Sequence, residues 1–294
     1  IRDQEAFAQV KDIQKPYPVS EDEGEEDNTY LSYNMVVGDA ADINLSLAFE
    51  VLDYALLSAP GAPLKQALLD AKIGKDIYGS FEDGIKQTYF SIVAKGANLS
   101  RKEEFIKVIR DTLTKIAEEG IDKKAVTAGI NYYEFRFREA DFSSYPKGLM
   151  YGLDILSSWL YDDTKPFCEV QLLEGFEFLK KALEEGYFEE LIRKYLLDNT
   201  HGAILSLVPE KGLAAKRDKE LEEKLENYRK SLSDEELTQM VEHTKALEAY
   251  QEAEEAPEAL TCIPMLSRED IKKEITGLTN EEHHVEDSLF LYHD

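Results

Sequence analysis

Cysteine is scarce in this 294-residue sequence, which contains only Cys168 and Cys262. The two residues lie far apart and form no Cys-x-x-Cys pair, so they indicate neither a disulfide framework nor a zinc knuckle. Their scarcity favours a reduced, intracellular setting. Long apolar runs are missing too. None approaches the roughly 18 to 20 residues that a membrane-spanning helix needs, and the first residues lack the basic and apolar regions of a signal peptide.

Positive charge is also in short supply. The chain has 34 Lys and Arg residues against 60 Asp and Glu residues, which gives a net charge of −26. Such a field repels phosphate backbones and anionic lipid headgroups, so we expect no nucleic-acid partner and no membrane partner. Glycine and proline are not enriched, and 43% of the residues are apolar. This composition is typical of a globular protein with a buried core.

The sequence does not begin with methionine, and it ends on an apolar run at 289–294 that is typical of the beginning of a strand. We therefore expect a piece of a longer protein. Composition divides it into an acidic linker (1–28), an α+β domain (29–209), a highly charged helical hairpin (210–257) and a connector (258–294).

Within 29–209, apolar periodicity predicts both strands and helices. Strands are predicted at 30–38, 76–81, 87–94 and 202–208, the last stopped by Pro209. The second and third flank a polar Asp-Gly turn, which favours an antiparallel hairpin. Helices are predicted at 43–56, 63–71, 100–119, 122–137 and 149–160, and over 171–197 in two pieces broken near Gly186. This order indicates an α+β fold in which several helices pack on a mostly antiparallel sheet.

Helix starts are predicted where a Ser or Asp precedes a helical pattern. Asp122 is a predicted N-cap, and Ser100 with Glu103 has the spacing of a capping box. Ser233 with Glu236 has the same spacing in the middle of the charged segment. That second box predicts two antiparallel helices over 210–257 rather than one rod, and a further short helix is expected after Ser267.

One segment resembles a metal-binding motif. His283-His284-Val285-Glu286-Asp287 nearly matches the inverted zinc-protease signature His-x-x-Glu-His, but Asp287 replaces the second His. A hydrolytic zinc needs three protein ligands, and few residues remain downstream to supply the third. We interpret the pair as solvated residues in a connector.

No other active-site pattern is visible. His201 and His243 have no ligand partner at suitable spacing and are expected to be exposed or to cap a helix. The sequence has no Gly-x-Ser-x-Gly elbow and no phosphate loop. The many carboxylates are interpreted as solvated helix faces.

Several separated motifs together resemble the insulinase or pitrilysin superfamily of zinc peptidases, and within it the presequence-protease branch. The motifs are 56–68 (LLSAPGAPLKQAL), 73–76 (IGKD), 134–139 (EFRFRE), 148–149 (GL), 159–161 (WLY), 195–199 (YLLDN), 207–209 (LVP), 249–251 (AYQ) and 263–267 (IPMLS). The resemblance covers roughly residues 15–280.

The resemblance implies a specific place for this chain in a larger enzyme. Such proteases consist of two bowl-shaped halves, each of two similar α+β domains like those of the mitochondrial processing peptidase, joined by a helical hairpin and enclosing unfolded peptides. This chain is similar to the second domain of the first half plus the hairpin. The His-x-x-Glu-His motif with its distal Glu, and an Arg-Tyr pair, lie in other domains. Zinc is therefore expected in the parent, while the isolated chain is expected to bind no catalytic zinc and to be inactive.

The resemblance further implies a peptide exosite formed by a turn and a strand edge that pairs with an extended peptide. The matching positions are Pro60, Gly61, Ile77, Tyr78, Gly79 and Ser80. Simpler interpretations stay open: Gly79 as a β-bulge, Tyr78 as a core side chain, and the Pro60-Gly61 turn as a helix terminator.

The expected partners are thus unfolded peptides and the remaining domains of the same polypeptide. The acidic balance would attract Arg-rich targeting peptides, although solubility explains it equally well. A bacterial cytoplasm or an organelle matrix is the expected compartment. The rival hypothesis is an acidic scaffold that docks a partner protein through its helical hairpin.

Overall fold

The computed structural model describes residues 2–271, 273, 280–285 and 288–293. The chain divides into two compact units, Ile1–Leu221 and Glu222–Asp294. No helix among the described residues is both long enough and apolar enough to cross a membrane.

The first unit contains a five-stranded sheet. Its strands are β1 (Lys11–Val19), β2 (Thr29–Val36), β3 (Asp76–Glu82), β4 (Tyr89–Ala97) and β5 (Gly202–Lys211). They lie in the order β1-β5-β2-β4-β3. Only β1 and β5 are parallel, and the other neighbours are antiparallel. The predicted α+β class with a mostly antiparallel sheet is therefore confirmed.

Helices account for most of the rest of this unit. They are α1 (Ile43–Asp53), α2 (Pro63–Asp70), α3 (Lys102–Glu119), α4 (Lys123–Glu139), α5 (Lys147–Trp159), α6 (Leu173–Ala182) and α7 (Tyr187–Leu191). Two π-helical turns, Tyr54–Ser58 and Ile192–Leu197, extend α1 and α7. Asp122 caps α4 as predicted, accepting hydrogen bonds from the amides of Lys124 and Ala125.

The helices cover one face of the sheet, and strand alternation separates its two faces. Leu31, Tyr33 and Met35 of β2 are buried, and the Tyr33 hydroxyl donates to the carbonyl oxygen of Leu196 at 2.7 Å. The residues between them carry polar groups on the other face. There, Ser91 Oγ donates to Asn34 Oδ1 at 2.6 Å.

The linker prediction for 1–28 is wrong over β1. This strand pairs in parallel with β5 from Lys11, opposite Ala203, to Val19, opposite Lys211. Its side chains are mostly exposed, so it lacks the apolar alternation by which strands are recognised. It contains Pro16 and Pro18, which an edge strand tolerates because part of its backbone has no partner.

Two other boundaries differ from prediction. Strand β5 continues through Pro209 to Lys211, because its pairing with β2 ends at Leu207 and only β1 remains beside it. A proline beyond that point does not interrupt a central ladder. A 3₁₀ turn at Leu99–Arg101 precedes α3, and no side chain caps the start of either element, so the predicted Ser100 box is absent.

The charged segment forms two helices, α8 (Leu213–Ser231) and α9 (Asp234–Glu252). The predicted capping box between them is present. Ser233 Oγ accepts from the Glu236 amide at 3.2 Å, and the Glu236 carboxylate accepts from the Ser233 amide at 2.8 Å. Their antiparallel packing as a hairpin stays a prediction.

The connector prediction for 258–294 is wrong over its last part. Strands β6 (Asn280–Val285) and β7 (Ser288–His293) form an antiparallel pair. The strand expected at 289–294 is thus found at Ser288–His293, and the short helix expected after Ser267 is a 3₁₀ turn at Arg268–Asp270. The earlier segment also holds α10 (Pro257–Leu260). Because β6 is rich in polar residues, it lacks the apolar alternation by which strands are predicted from sequence.

Candidate functional site

The strand that carries four of the predicted exosite residues lies at an edge of the sheet. Within the described residues, β3 pairs with β4 on one side and with no strand on the other. An edge strand leaves part of its backbone amides and carbonyls available for another chain. One amide is already used, since the N–H of Ile77 donates to Asp76 Oδ1 at 2.9 Å.

The side chains of β3 alternate between the helical layer and the opposite face. Ile77 is fully buried against the helices, whereas Tyr78 keeps 42% of its surface exposed. Tyr78 is therefore not a core side chain. The register between β3 and β4 runs without interruption from Asp76, opposite Lys95, to Glu82, opposite Tyr89. Gly79 is therefore not a β-bulge.

Gly79 has a packing role that the sequence did not reveal. A Cβ atom at this position would lie 2.2 Å from Asp53 Oδ1 and 2.3 Å from Leu57 Cδ1. Both distances are far below van der Waals contact, so any larger side chain would push the end of α1 away from the sheet. Because Gly79 has no side chain, the end of α1 packs closely against the buried face of β3.

Asp53 lies directly behind β3 and was missed by sequence reasoning. Its Oδ2 accepts from Ser58 Oγ at 3.0 Å, while its Oδ1 is buried without a hydrogen-bond partner. Burial raises the pKa of this carboxyl, and the Ser58 hydrogen bond opposes that rise. The available signal was an acidic residue at the end of a largely apolar helix.

The Pro60-Gly61 turn is exposed and connects two helical segments that both contact β3. Gly61 has a φ of 75°, a left-handed conformation that favours glycine. Pro63 occupies the first turn of α2, and an exposed ion pair of 3.7 Å joins Lys65 to Asp76 at the start of β3. The fold thus places the turn and the strand on neighbouring segments, with helix termination alone sufficient to explain the turn.

The described histidines do not assemble into a metal centre. Among the residues that the structure describes, no group of three or more His, Cys, Asp or Glu side chains is arranged to hold a metal ion. His201 is only 8% exposed and packs edge-to-face on Phe7, so the expectation of an exposed or capping residue is wrong. His283 and His284 are adjacent on β6 and project to opposite faces. Glu286 and Asp287 of the near-signature lie outside the described residues.

Comparison with known proteins places the chain in a family context. Residues 2–133 match the family model described as peptidase M16 inactive domain, and residues 207–294 match a model for the region associated with subfamily C of the M16 peptidases. The chain is 42% identical to Protein HypA of Clostridium perfringens, over its whole length and 30% of that protein. It is 32% identical to presequence protease 1, chloroplastic/mitochondrial, of Arabidopsis thaliana, over its whole length and 28% of that protein.

The chain therefore spans less than a third of the length of these curated relatives. Among solved structures, the peptidase M16 inactive domain from Pseudomonas fluorescens gives a TM-score of 0.48 at 14% identity. That alignment covers 71% of this chain and 46% of the other.

Proposed function

Since this chain belongs to the M16 peptidase family, as its inactive domain with the associated region, we propose that it is the peptide-handling, chamber-forming part of a zinc-dependent metalloendopeptidase. The parent would degrade unfolded or targeting peptides, as the name of its Arabidopsis relative suggests. M16 peptidases depend on zinc generally, and the catalytic metal would be held by domains outside this chain.

The observation that carries this proposal is the free edge of β3. An extended peptide added there would pair through its main chain, which captures unfolded substrates with little regard to their sequence. Tyr78 and Ser80, on the side of β3 away from the helices, would contact its side chains. Gly79 would contribute backbone only, because its Cβ position is occupied by Asp53 and Leu57.

The charge of the chain supports the same role. A net charge of −26 attracts cationic peptides over several ångströms, and targeting presequences are rich in Arg and poor in acidic residues. Such attraction raises the rate of encounter and is weakened by salt.

Exposed apolar side chains support a role within a larger polypeptide. On and just after α5, Leu149, Leu153, Leu156, Trp159 and Leu160 are between 41% and 67% exposed. A contiguous apolar stripe of this kind is rare on an isolated monomer and typical of a covered surface. The remaining domains of the parent, about two thirds of its length, would cover it.

Hydrogen exchange tests the β3 edge in the full-length parent protein. The zinc is removed so that a short unstructured basic peptide is bound but not cleaved. Amides of β3 should exchange more slowly with the peptide present, while those of β1, the other edge of the same sheet, should not change. Methylating alternate backbone nitrogens of the peptide should abolish the protection. Equal effects on both edges, or none on β3, would reject the exosite.

A second candidate function is the acidic scaffold, favoured by Met240, Val241 and Leu247 of α9, which are about half exposed. The two functions differ in a simple assay. Under the peptidase proposal, the full-length parent cleaves unfolded peptides in a zinc-dependent manner and the isolated chain does not. Absence of cleavage by the zinc-loaded parent would favour the scaffold.

A further inference from the structure

A second candidate site lies in the first unit, beside the turn that follows β3. Helices α1, α4 and α5, together with the β3–β4 turn and the residues around the start of α6, line a partly open cavity of about 310 Å³. That volume is at the lower end of the range for small-molecule sites. The cavity lining combines acidic side chains with aromatic ones.

The lining is strongly acidic. It contains five carboxylates from five different segments and a single cationic side chain. Arg136 and Asp141 are exposed and lie at the rim, whereas the other four carboxylates are half-buried. These four are Glu50, Asp83, Asp154 and Glu169. Arg136 is thus the one cationic side chain of this lining that offsets their charges, and it does so from an exposed position.

Glu50 on α1 is the most enclosed of these groups. It is half-buried, and part of its side chain is accessible from the cavity. Within the described part of the chain, this carboxyl takes part in no hydrogen bond and no ion pair. Because Glu50 lines the cavity, its carboxyl is available to a cationic ligand that enters there.

The pKa values agree with this geometry. Burial raises the pKa of Glu50 to about 8, with Asp83 and Glu169 adding to the rise and Arg136 opposing it. Burial likewise raises the pKa of Glu169 to about 7, assisted by Asp83 and Asp154. The carboxyl groups thus repel one another across the cavity. A cation placed between them would relieve that repulsion.

The walls of the cavity are aromatic. Phe142 and Tyr151 meet edge-to-face with ring centroids 5.4 Å apart, and Phe137 lies against Phe176 with centroids 6.1 Å apart. Tyr133 completes the set, and burial raises the pKa of its hydroxyl, which keeps it neutral. Aromatic rings with nearby carboxylates are the recognised surroundings of organic cations.

A monatomic metal ion fits this cavity poorly. Among the described residues, the acidic side chains are not close enough together to coordinate one ion. Separated carboxylates instead suit a ligand whose several N–H donors point in different directions, as in a guanidinium or an ammonium group. A guanidinium also stacks on aromatic rings.

We propose that this cavity binds one organic cation of the alkylguanidinium or alkylammonium class, with Glu50 and Glu169 as its principal carboxylate partners. The cation could be a free amine or a basic side chain of a bound peptide. The second source rests on the proposed peptide-handling function, whereas binding of the free cation does not.

Calorimetric titration of the 294-residue chain and of the full-length parent tests the proposal. The probes are agmatine, N-acetyl-arginine amide and a short Arg-containing peptide, with N-acetyl-citrulline amide as the uncharged isostere of the second. The cationic probes should bind at least tenfold more tightly than the citrulline derivative. Binding should tighten by up to about tenfold per pH unit between pH 6 and 8, because the cation requires the ionised carboxylates.

Variants separate the cavity from general electrostatic attraction. Glu50→Gln should weaken cation binding at least tenfold and flatten its pH dependence. Glu118→Gln, the same change at an exposed position of α3, should leave both unchanged. Equal effects of the two variants, or equal binding of the arginine and citrulline derivatives, would overturn the proposal.

The two sources of the cation give different results. If a peptide supplies it, the Arg peptide binds more tightly than agmatine and the gain is lost in Glu50→Gln. If a free amine is the ligand, agmatine binds at least as tightly as the peptide. If the peptide does not slow hydrogen exchange at β3 while Glu50-dependent cation binding persists, the peptide exosite is rejected and this cation site is retained.

Discussion

Replacing Glu50 by Gln should change how the stability of the protein depends on pH. The carboxyl of Glu50 is enclosed on α1, and burial raises its pKa from 4.5 to about 8. A group whose folded-state pKa is raised favours folding only while it is protonated. Its contribution to the free energy of unfolding is therefore fully present below about pH 4.5 and is lost as the pH rises through 8.

The magnitude follows from the size of the pKa shift. One pKa unit corresponds to about 1.4 kcal/mol, so ionising Glu50 should cost on the order of 2 kcal/mol between pH 6 and 8. Glutamine has nearly the same shape as the protonated side chain and cannot ionise. Glu50→Gln should therefore fold normally, lose less stability over this range, and be more stable than the wild type at pH 8.

Urea denaturation of the chain at pH 6, 7 and 8 measures the effect through the free energy of unfolding. Glu169, whose pKa burial raises to about 7, leaves a residual slope that Glu169→Gln should remove. Glu118→Gln serves as the exposed control. If Glu50→Gln and the wild type lose the same stability between pH 6 and 8, the carboxyl is not enclosed as described and the reasoning fails.

Two further predictions concern packing and capping. Gly79→Val should lower the free energy of unfolding by at least about 2 kcal/mol, because its Cβ would meet Asp53 and Leu57. Gly84→Ala, with no atom within 4 Å of its Cβ position, should change it little. Equal effects of the two variants in thermal denaturation would contradict the packing role of Gly79. Ser233→Ala should cost about 1 kcal/mol by removing the capping box of α9 and should reduce helicity in circular dichroism, an effect that the exposed Thr238→Ala should not reproduce.

The packing of Gly79 also changes how the exosite must be probed. A bulky residue at this position would disturb the contact between α1 and β3, so lost peptide capture in such a variant would not demonstrate an exosite. Hydrogen exchange at β3, compared with β1, avoids this ambiguity. It measures the backbone edge itself and leaves the side chains unchanged.

Local signals in the sequence predicted most elements of the first unit. The predicted strands correspond to β2, β3, β4 and β5, and Asp122 caps α4 as its position indicated. These signals succeed because strand alternation and capping involve residues only a few positions apart. The same reasoning did not predict strand β1, since it is polar and its partner β5 lies about 190 residues away.

The candidate sites depend on contacts that no local pattern contains. The β3 strand was predicted, but its place at the edge follows from the order of all five strands. Glu50 was not singled out from the sequence, because carboxylates on helices were interpreted as solvated. Its enclosure arises because Asp83, Asp154 and Glu169 approach from distant segments.

The amino-acid sequence by itself indicated the family resemblance, the α+β class and most helices and strands of the first unit, because these depend on composition, motifs and short-range periodicity. Tertiary structure alone decided which strands lie at the sheet edges, why position 79 must be glycine, and which carboxylates share one cavity. The physical reason is that burial and electrostatic repulsion are set by neighbours in space, and most of those neighbours are remote in the chain.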